Sequence, residues 1–321
     1  MRAVAFTGAG GNEVVEVVER PDPAVGPEDV LVEVSVAGMN PADLVQREGR
    51  YPAPAGVVPD IPGLEVAGSV VAVGERVAAW SPGDRVFGLV GGGGLASRVV
   101  VHERCVTDVP AALDEEQAAA VPEAFITAHD AFRQAELRPA ETVLVHGATG
   151  AVGSAAVGIA RAWGARVLAS VTSPEAADAV ASIGAEPVDD RTEALASAAG
   201  RGGVDVVIEL VGGSHVETAV GVIGRGGRIV VVSLAAGTSA KLDLGRLWSR
   251  RATIRGTLLR ARPLEEKAAA VQAFAKEVVP MLADGRLEPT IDSVYDAGDI
   301  HAAFDRLAER GKRGKVLVRF P

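Results

Sequence analysis

The chain has a single cysteine, Cys105, among its 321 residues. It can close no intramolecular disulfide, and four-cysteine zinc sites are excluded. Aromatic residues are only 4% of the chain, beside abundant Ala, Gly and Val, which reads as a compositional bias. Positive charge is in deficit: 32 Lys and Arg against 42 Asp and Glu leave a formal net charge of −10, with a pI near 5.1. That balance argues against a broad nucleic-acid or anionic-membrane surface. No uninterrupted apolar run reaches membrane-spanning length, and Met1–Gly8 lacks the apolar core of a signal peptide. A soluble, cytoplasmic protein with neither nucleic-acid nor membrane partners is expected. What the chain does have is 48% hydrophobic residues, enough for a sizeable core, and a length suited to two domains.

The most informative stretch is His146-Gly147-Ala148-Thr149-Gly150-Ala151-Val152-Gly153. It follows the apolar run Thr142–Val145 and opens an Ala-rich segment, so it reads as strand, glycine turn and helix, the context of dinucleotide binding. Gly150 lets the backbone approach a pyrophosphate, and Gly153 lets the helix pack close to the strand. The free N–H groups of Ala151, Val152 and Gly153 then face the negative charge. Ala148 replaces the first glycine of the usual pattern, with Gly147 just before it.

Up to about residue 115 the chain reads as short strands punctuated by Pro and Gly, such as Val30–Val36 and Val66–Val73, which suits a small barrel. Gly91–Gly94 is read as a tight surface turn. From about residue 120, apolar runs at Val143–Val145, Val167–Val171, Val204–Leu210 and Arg228–Val232 alternate with Ala-rich stretches of helical length. Strands buried on both faces and alternating with helices predict a doubly wound parallel sheet, with Arg251–Leu258 as a possible sixth strand. Pro263–Leu282 has helical spacing, followed by a strand at Thr290–Tyr295, a helix at Ile300–Glu309 and a strand at Lys315–Phe320.

Six segments together carry a family likeness: Gly38–Asp43, Arg47–Pro52, Pro62–Gly68, Gly83–Val86, Gly147–Gly153 and Gly314–Leu317. On these the chain resembles the zinc-independent quinone oxidoreductases of the medium-chain dehydrogenase/reductase superfamily over nearly its whole length. Val90–Ala96, Pro122–Ala128 and Leu258–Pro263 look like the subgroup of the tumour-suppressor-induced quinone oxidoreductase. The resemblance implies an α/β fold: a GroES-like β-barrel catalytic domain interrupted by a Rossmann doubly wound parallel sheet. The expected division is 1–120 for the first part of the catalytic domain, 121–258 for the NADPH-binding domain and 259–321 for the return to the catalytic domain. It also implies a homodimer formed through the Rossmann domain.

Zinc-dependent relatives carry a ligand cysteine where this chain has Asn40 and a ligand histidine where it has Leu64. Neither residue suits zinc. The pair His102 and Cys105 reads as structural. No zinc, other metal or flavin is expected.

NAD-preferring sites place a carboxylate after the second strand of the sheet, to bond the ribose hydroxyls and repel a 2′-phosphate. Here Thr172 and Ser173 stand at that tip, and Glu175 is assigned to the next helix, so NADPH is favoured over NADH. The lysine that NADPH-using relatives place near Ala176 is absent. Arg191, helped by Arg310, Lys312 and Arg313, could replace it; alternatively, Arg191 is a solvent-exposed loop residue. Ser233, after the fifth strand, lies where the cofactor should pass, and Leu258 is counted with the cofactor-binding residues.

For the acceptor, Asn40 could contact substrate or nicotinamide ribose, or cap the turn before Pro41. Tyr51 could donate a hydrogen bond to a carbonyl oxygen or anchor its loop. Thr127 could contact nicotinamide or substrate, or be a buried helix threonine, and Asp43 reads as a helix-start or packing residue. The reaction expected is NADPH-dependent reduction of a quinone. An enoyl or enone reductase acting on an α,β-unsaturated carbonyl is the alternative, and a non-catalytic NADPH-binding structural or RNA-binding protein is the third reading.

Overall fold

The computed structural model describes residues 1–320. The chain divides into two compact units, one of residues 1–126 and from 259 onward, the other Thr127–Leu258. The first unit opens with β1 (Arg2–Phe6) and β2 (Val15–Glu19), paired antiparallel. β3 (Asp29–Met39), α1 (Pro41–Arg47), β4 (Glu65–Val73), β5 (Arg85–Leu89), β6 (Arg98–His102), β7 (Val106–Asp108) and α2 (Glu115–Ala119) follow. Helix α3 (Pro122–Ala135) carries the chain into the second unit.

There the elements alternate: β8 (Thr142–His146), α4 (Ala151–Ala162), β9 (Arg166–Val171), α5 (Pro174–Ser182), β10 (Glu186–Asp189) and α6 (Thr192–Ala199). β11 (Val204–Glu209), α7 (Ser214–Val222), β12 (Ile223–Val231), α8 (Leu244–Arg250) and β13 (Thr253–Gly256) complete the unit. The six strands are parallel, in the order β10-β9-β8-β11-β12-β13. The order reverses between β8 and β11, the topological switch point at which doubly wound sheets bind ligands. Val143, Leu144, Val207 and Ile208 are fully buried, which is why the central strands read as unbroken apolar runs. The apolar runs do not announce β10, because it is an edge strand with charged ends and Pro187, whose missing N–H only an edge or strand start tolerates. β12 starts five residues earlier than its apolar run, since Arg225-Gly226-Gly227 interrupts the pattern without ending the strand.

The chain then returns through α9 (Leu264–Glu277), α10 (Val279–Ala283), β14 (Ile291–Asp296), α11 (Ile300–Ala308) and β15 (Lys315–Arg319). The helical spacing from Pro263 to Leu282 thus resolves into two helices. Pro280 cannot donate to a continuing ladder, and it sits in the first turn of α10. β3 organises the sheet of this unit. One edge pairs with β4; the other is shared by β6 along Asp29–Glu33 and β15 along Val36–Met39. Its core joins Val30, Val32, Val66 and Val86 to Phe304 and Leu307 of α11.

The turn Gly91–Gly94 is buried, contrary to its reading as a surface turn. Its glycines admit backbone against backbone: Gly94 N–H donates to Gly63 O at 3.1 Å and Gly93 N–H to Ile61 O at 2.8 Å. Gly63, at φ +100°, has no room for a side chain, since a Cβ there would lie 2.3 Å from Leu95 N. Among the described residues no helix is long and apolar enough to cross a membrane.

Candidate functional site

In the second unit the candidate site is the glycine turn after β8. Gly147 adopts φ +77°, and Gly150 is the N-cap residue of α4, which no side chain among the described residues caps. The first-turn N–H groups therefore remain available at the positive end of the helix dipole, with no acidic side chain beside them. The two downstream glycines do different work. A Cβ on Gly153 would lie 2.2 Å from Gly147 O and 2.6 Å from Ala148 Cα, so Gly153 is needed by the fold itself. A Cβ on Gly150 would meet nothing closer than Gly147 O at 3.6 Å. The chain leaves that space open on the face where a pyrophosphate would approach. These features fit a dinucleotide.

At the tip of β9, Thr172 is exposed and Ser173 caps α5, its Oγ accepting the Ala176 N–H at 3.2 Å. The hydroxyl proton of such a cap stays free to bond a phosphate oxygen. Glu175 lies in the first turn of α5, and Asp189 of β10 is in register with Val171. Arg191, 74% exposed, leaves the same end of the sheet, but its Nε is paired with Asp189 Oδ1 at 2.6 Å. A 2′-phosphate would have to compete with that carboxylate, which the guanidinium holds below the usual range. Ser233 follows β12, and its N–H reaches Glu209 O at 3.4 Å. Leu258 is half exposed, and Thr127 is buried in α3.

Beneath the turn lies a pair that sequence reasoning missed. His146 ends β8, Glu209 ends β11, and the His146 Nδ1 hydrogen-bonds Glu209 Oε2 across the switch point, both side chains fully buried. Glu209 Oε1 also accepts the N–H of Val211 at 2.7 Å and of Gly212 at 2.8 Å. Burial alone would push this carboxyl up. The His146 bond and charge and the two main-chain donors overcome that and hold it below the usual carboxylate range. The signal for the pair was a titratable residue just after one apolar run, His146 after Thr142–Val145, and another inside the end of a second, Glu209 in Val204–Leu210.

The first unit, taken by itself, holds a buried polar cluster. Asn40 is the N-cap residue of α1, yet its carboxamide is held from both ends, accepting from Lys315 Nζ and donating to Glu65 Oε1, each at 2.8 Å. Lys315 Nζ also lies 2.5 Å from Glu65 Oε1, and Glu65 Oε2 accepts the Glu123 N–H at 2.8 Å. Asn40, Leu64 and Glu65 do not make a zinc site. The leucine has no donor atom, the Lys315 ammonium already occupies Asn40 Oδ1 and Glu65 Oε1, and the Glu123 N–H takes Glu65 Oε2.

Asp43 accepts the Asn40 N–H at 2.7 Å and the Gly63 N–H at 3.1 Å. Burial pushes its carboxyl up to about 6, against those bonds and the nearby Arg260. The folded value exceeds the unfolded one, so protonation favours the native state. This stabilisation is complete below the ordinary carboxyl value of 3.8 and is lost as pH rises through about 6. Its size is at most about 3 kcal/mol. A protonated-carboxyl infrared band with a midpoint near pH 6, absent from Asp43→Asn, is the expected observation; no such band above pH 5 would contradict it.

Tyr51 follows α1 in the same unit. Arg260 stacks on its ring, with the guanidinium carbon 4.7 Å from the ring centroid. Burial pushes the phenol up, and Arg260 pulls against that. Thus Asn40 and Tyr51 lie in one unit and Thr127 with the glycine turn in the other.

Two family models match the chain. The family described as alcohol dehydrogenase GroES-like domain matches residues 26–111, and that described as zinc-binding dehydrogenase matches residues 151–276. The chain is 33% identical over 329 residues to a quinone oxidoreductase of Lama guanicoe, covering 99% of this chain and 97% of that protein. The solved quinone oxidoreductase of Thermus thermophilus, also determined in complex with NADPH, is 36% identical, with a TM-score of 0.84 and full coverage of both chains. The CurK enoyl reductase, at 25% identity, superposes with a TM-score of 0.87 over 100% of this chain and 99% of its own.

Proposed function

This chain belongs to the quinone oxidoreductases of the medium-chain dehydrogenase/reductase superfamily, and from that membership we propose that it reduces quinones with NADPH and without metal or flavin. The observation that carries the reading is the uncapped start of α4 with the open space at Gly150, beside a β9 tip bearing hydroxyls instead of a carboxylate. The turn from Gly147 to Gly153 would hold the pyrophosphate, Thr172 and Ser173 the 2′-phosphate, and Ser233, Leu258 and Thr127 the rest of the dinucleotide. Bound there, NADPH would supply the hydride. The glycine turn keeps the helix N–H groups aimed at negative charge, and Glu209 fixes the adjoining loop by bonding its N–H groups. Tyr51 would hold the acceptor carbonyl by a hydrogen bond. A quinone is electrophilic enough that water can supply the protons of its product, by way of Tyr51 at the bonded oxygen and directly at the other.

The alternative acceptor, an α,β-unsaturated carbonyl, gains support from Tyr51 itself, a half-buried phenol beside a cation and able to deliver a proton. The test is NADPH oxidation against a quinone and a matched α,β-unsaturated ketone, with NADH in parallel. Quinone turnover with NADPH supports the main reading; ketone turnover alone moves the assignment to enone reduction, and turnover of neither overturns both.

We also propose a homodimer through the β13 side of the parallel sheet. The β10 edge is guarded by Pro187 and charges, whereas α8, the helix that leads into the edge strand β13, bears Leu244 and Trp248, which are 68% and 82% exposed. Trp248→Arg is expected to convert the dimer to monomer in analytical ultracentrifugation. An unchanged sedimentation coefficient would remove this face from the interface.

A further inference from the structure

The segment Leu258–Pro263 entered the sequence analysis only as a mark of likeness, yet Arg260 within it is 4% exposed and reaches three separate parts of the first unit. Its Nε donates to Gly91 O at 2.8 Å, one terminal nitrogen to Tyr51 O at 3.3 Å and the other to Gln46 Oε1 at 2.5 Å. The guanidinium also lies over the Tyr51 ring. Resting on the reading of Tyr51 as the donor to the acceptor carbonyl, we propose that Arg260 is the positioning residue of the acceptor site, setting where the Tyr51 phenol lies and how readily it gives up its proton.

These three acceptors are two main-chain carbonyls and a carboxamide, none of them charged. A staple between loops needs no cation, and burying one against neutral partners is costly. The charge has an evident use in its neighbour, because a cation over a phenol ring favours the deprotonated form. Burial pushes the Tyr51 phenol up and Arg260 is the main opposing influence. The charged groups around the pair are Asp43 of α1, Glu123 of α3 and Lys267 of α9. Asp43 and Glu123 act on Arg260, Glu123 also raises the phenol, and Lys267 adds a second cation whose own proton burial loosens.

In the reaction, an acceptor that has gained a hydride carries its new electron pair on the carbonyl oxygen. The Tyr51 O–H bond breaks, an O–H bond forms on that oxygen, and the tyrosinate left behind sits under the Arg260 charge until water returns the proton. Neither oxidant nor reductant is needed beyond the hydride donor.

The chain has only two tyrosines, Tyr51 and Tyr295, so the near-ultraviolet tyrosinate titration of the full chain, minus that of Tyr51→Phe, isolates Tyr51 without any acceptor. With Arg260→Met the Tyr51 midpoint is expected to rise by about one pH unit, a tenfold change in proton affinity. With Arg260→Lys, which keeps the charge but not the planar fork, it should rise less; this variant carries the test if Arg260→Met does not fold. In turnover, replacing Arg260 should lower kcat/KM for the acceptor about tenfold in the wild type and little in the Tyr51→Phe background. Unmoved midpoints in the folded variants, or equal losses in both backgrounds, overturn the proposal. If the midpoint rises while no acceptor is turned over, the link between Arg260 and Tyr51 stands and the quinone and enone reading falls.

Discussion

Lys315→Met is expected to lower stability by about 3–5 kcal/mol, the usual cost of stranding one partner of a buried ion pair. Lys315 and Glu65 are nearly inaccessible, and the ammonium satisfies both the Glu65 carboxylate and the Asn40 carbonyl oxygen. With Lys315 gone, Glu65 keeps only the Asn40 amide and the Glu123 N–H, too little for a full buried charge. Adding Glu65→Gln should restore much of the loss, because the orphaned charge leaves with it. Thermal and denaturant unfolding of the two single variants and the double variant would read this directly. A Lys315→Met protein as stable as wild type would show that the pair contributes nothing.

The second large effect separates the two glycines of the dinucleotide turn. Gly153→Ala puts a methyl group well inside van der Waals contact of the Gly147 carbonyl and the Ala148 backbone, so the loop must move. Overpacking of this kind costs about 1–3 kcal/mol, and NADPH affinity should fall with it because the displaced loop is the surface proposed to bind the cofactor. Gly150→Ala meets only ordinary contact at 3.6 Å and has φ −75°, which alanine adopts freely. Its stability should stay within about 0.5 kcal/mol of wild type, while NADPH binding weakens by about tenfold or more, roughly 1.4 kcal/mol. Calorimetric titration with NADPH alongside the melting curves distinguishes the two. Wild-type affinity in Gly150→Ala would mean that the cofactor does not use that space.

The contrast between these residues explains what could be read from the sequence. The parallel sheet was legible because its central strands, buried on both faces, print their position as apolar runs, and because Gly147–Gly153 is a local signal. β10 was not, since an edge strand needs no such run. Gly91–Gly94 looked like a surface turn because composition cannot tell a glycine placed for freedom from one placed for close packing. Arg260 and Lys315 were quoted within motifs but carried no assigned role. Their partners stand 169 to 275 positions away, and only the fold brings them together. Asn40 was seen as a candidate, but its hold by Lys315 and Glu65 could not be.

Those long separations bear on how the molecule is made. The second unit is interposed in the first, and all its contributing strands lie within Thr127–Leu258, so it can fold while the ribosome is still translating. The first unit cannot finish then, because the Val36–Met39 edge of β3 waits for β15, which follows the whole of the second unit in the chain. Until that moment Glu65 has no counterion and an open strand edge faces solvent or a chaperone. A chain halted before β15 would therefore contain a finished second unit attached to an unclosed, aggregation-prone first one.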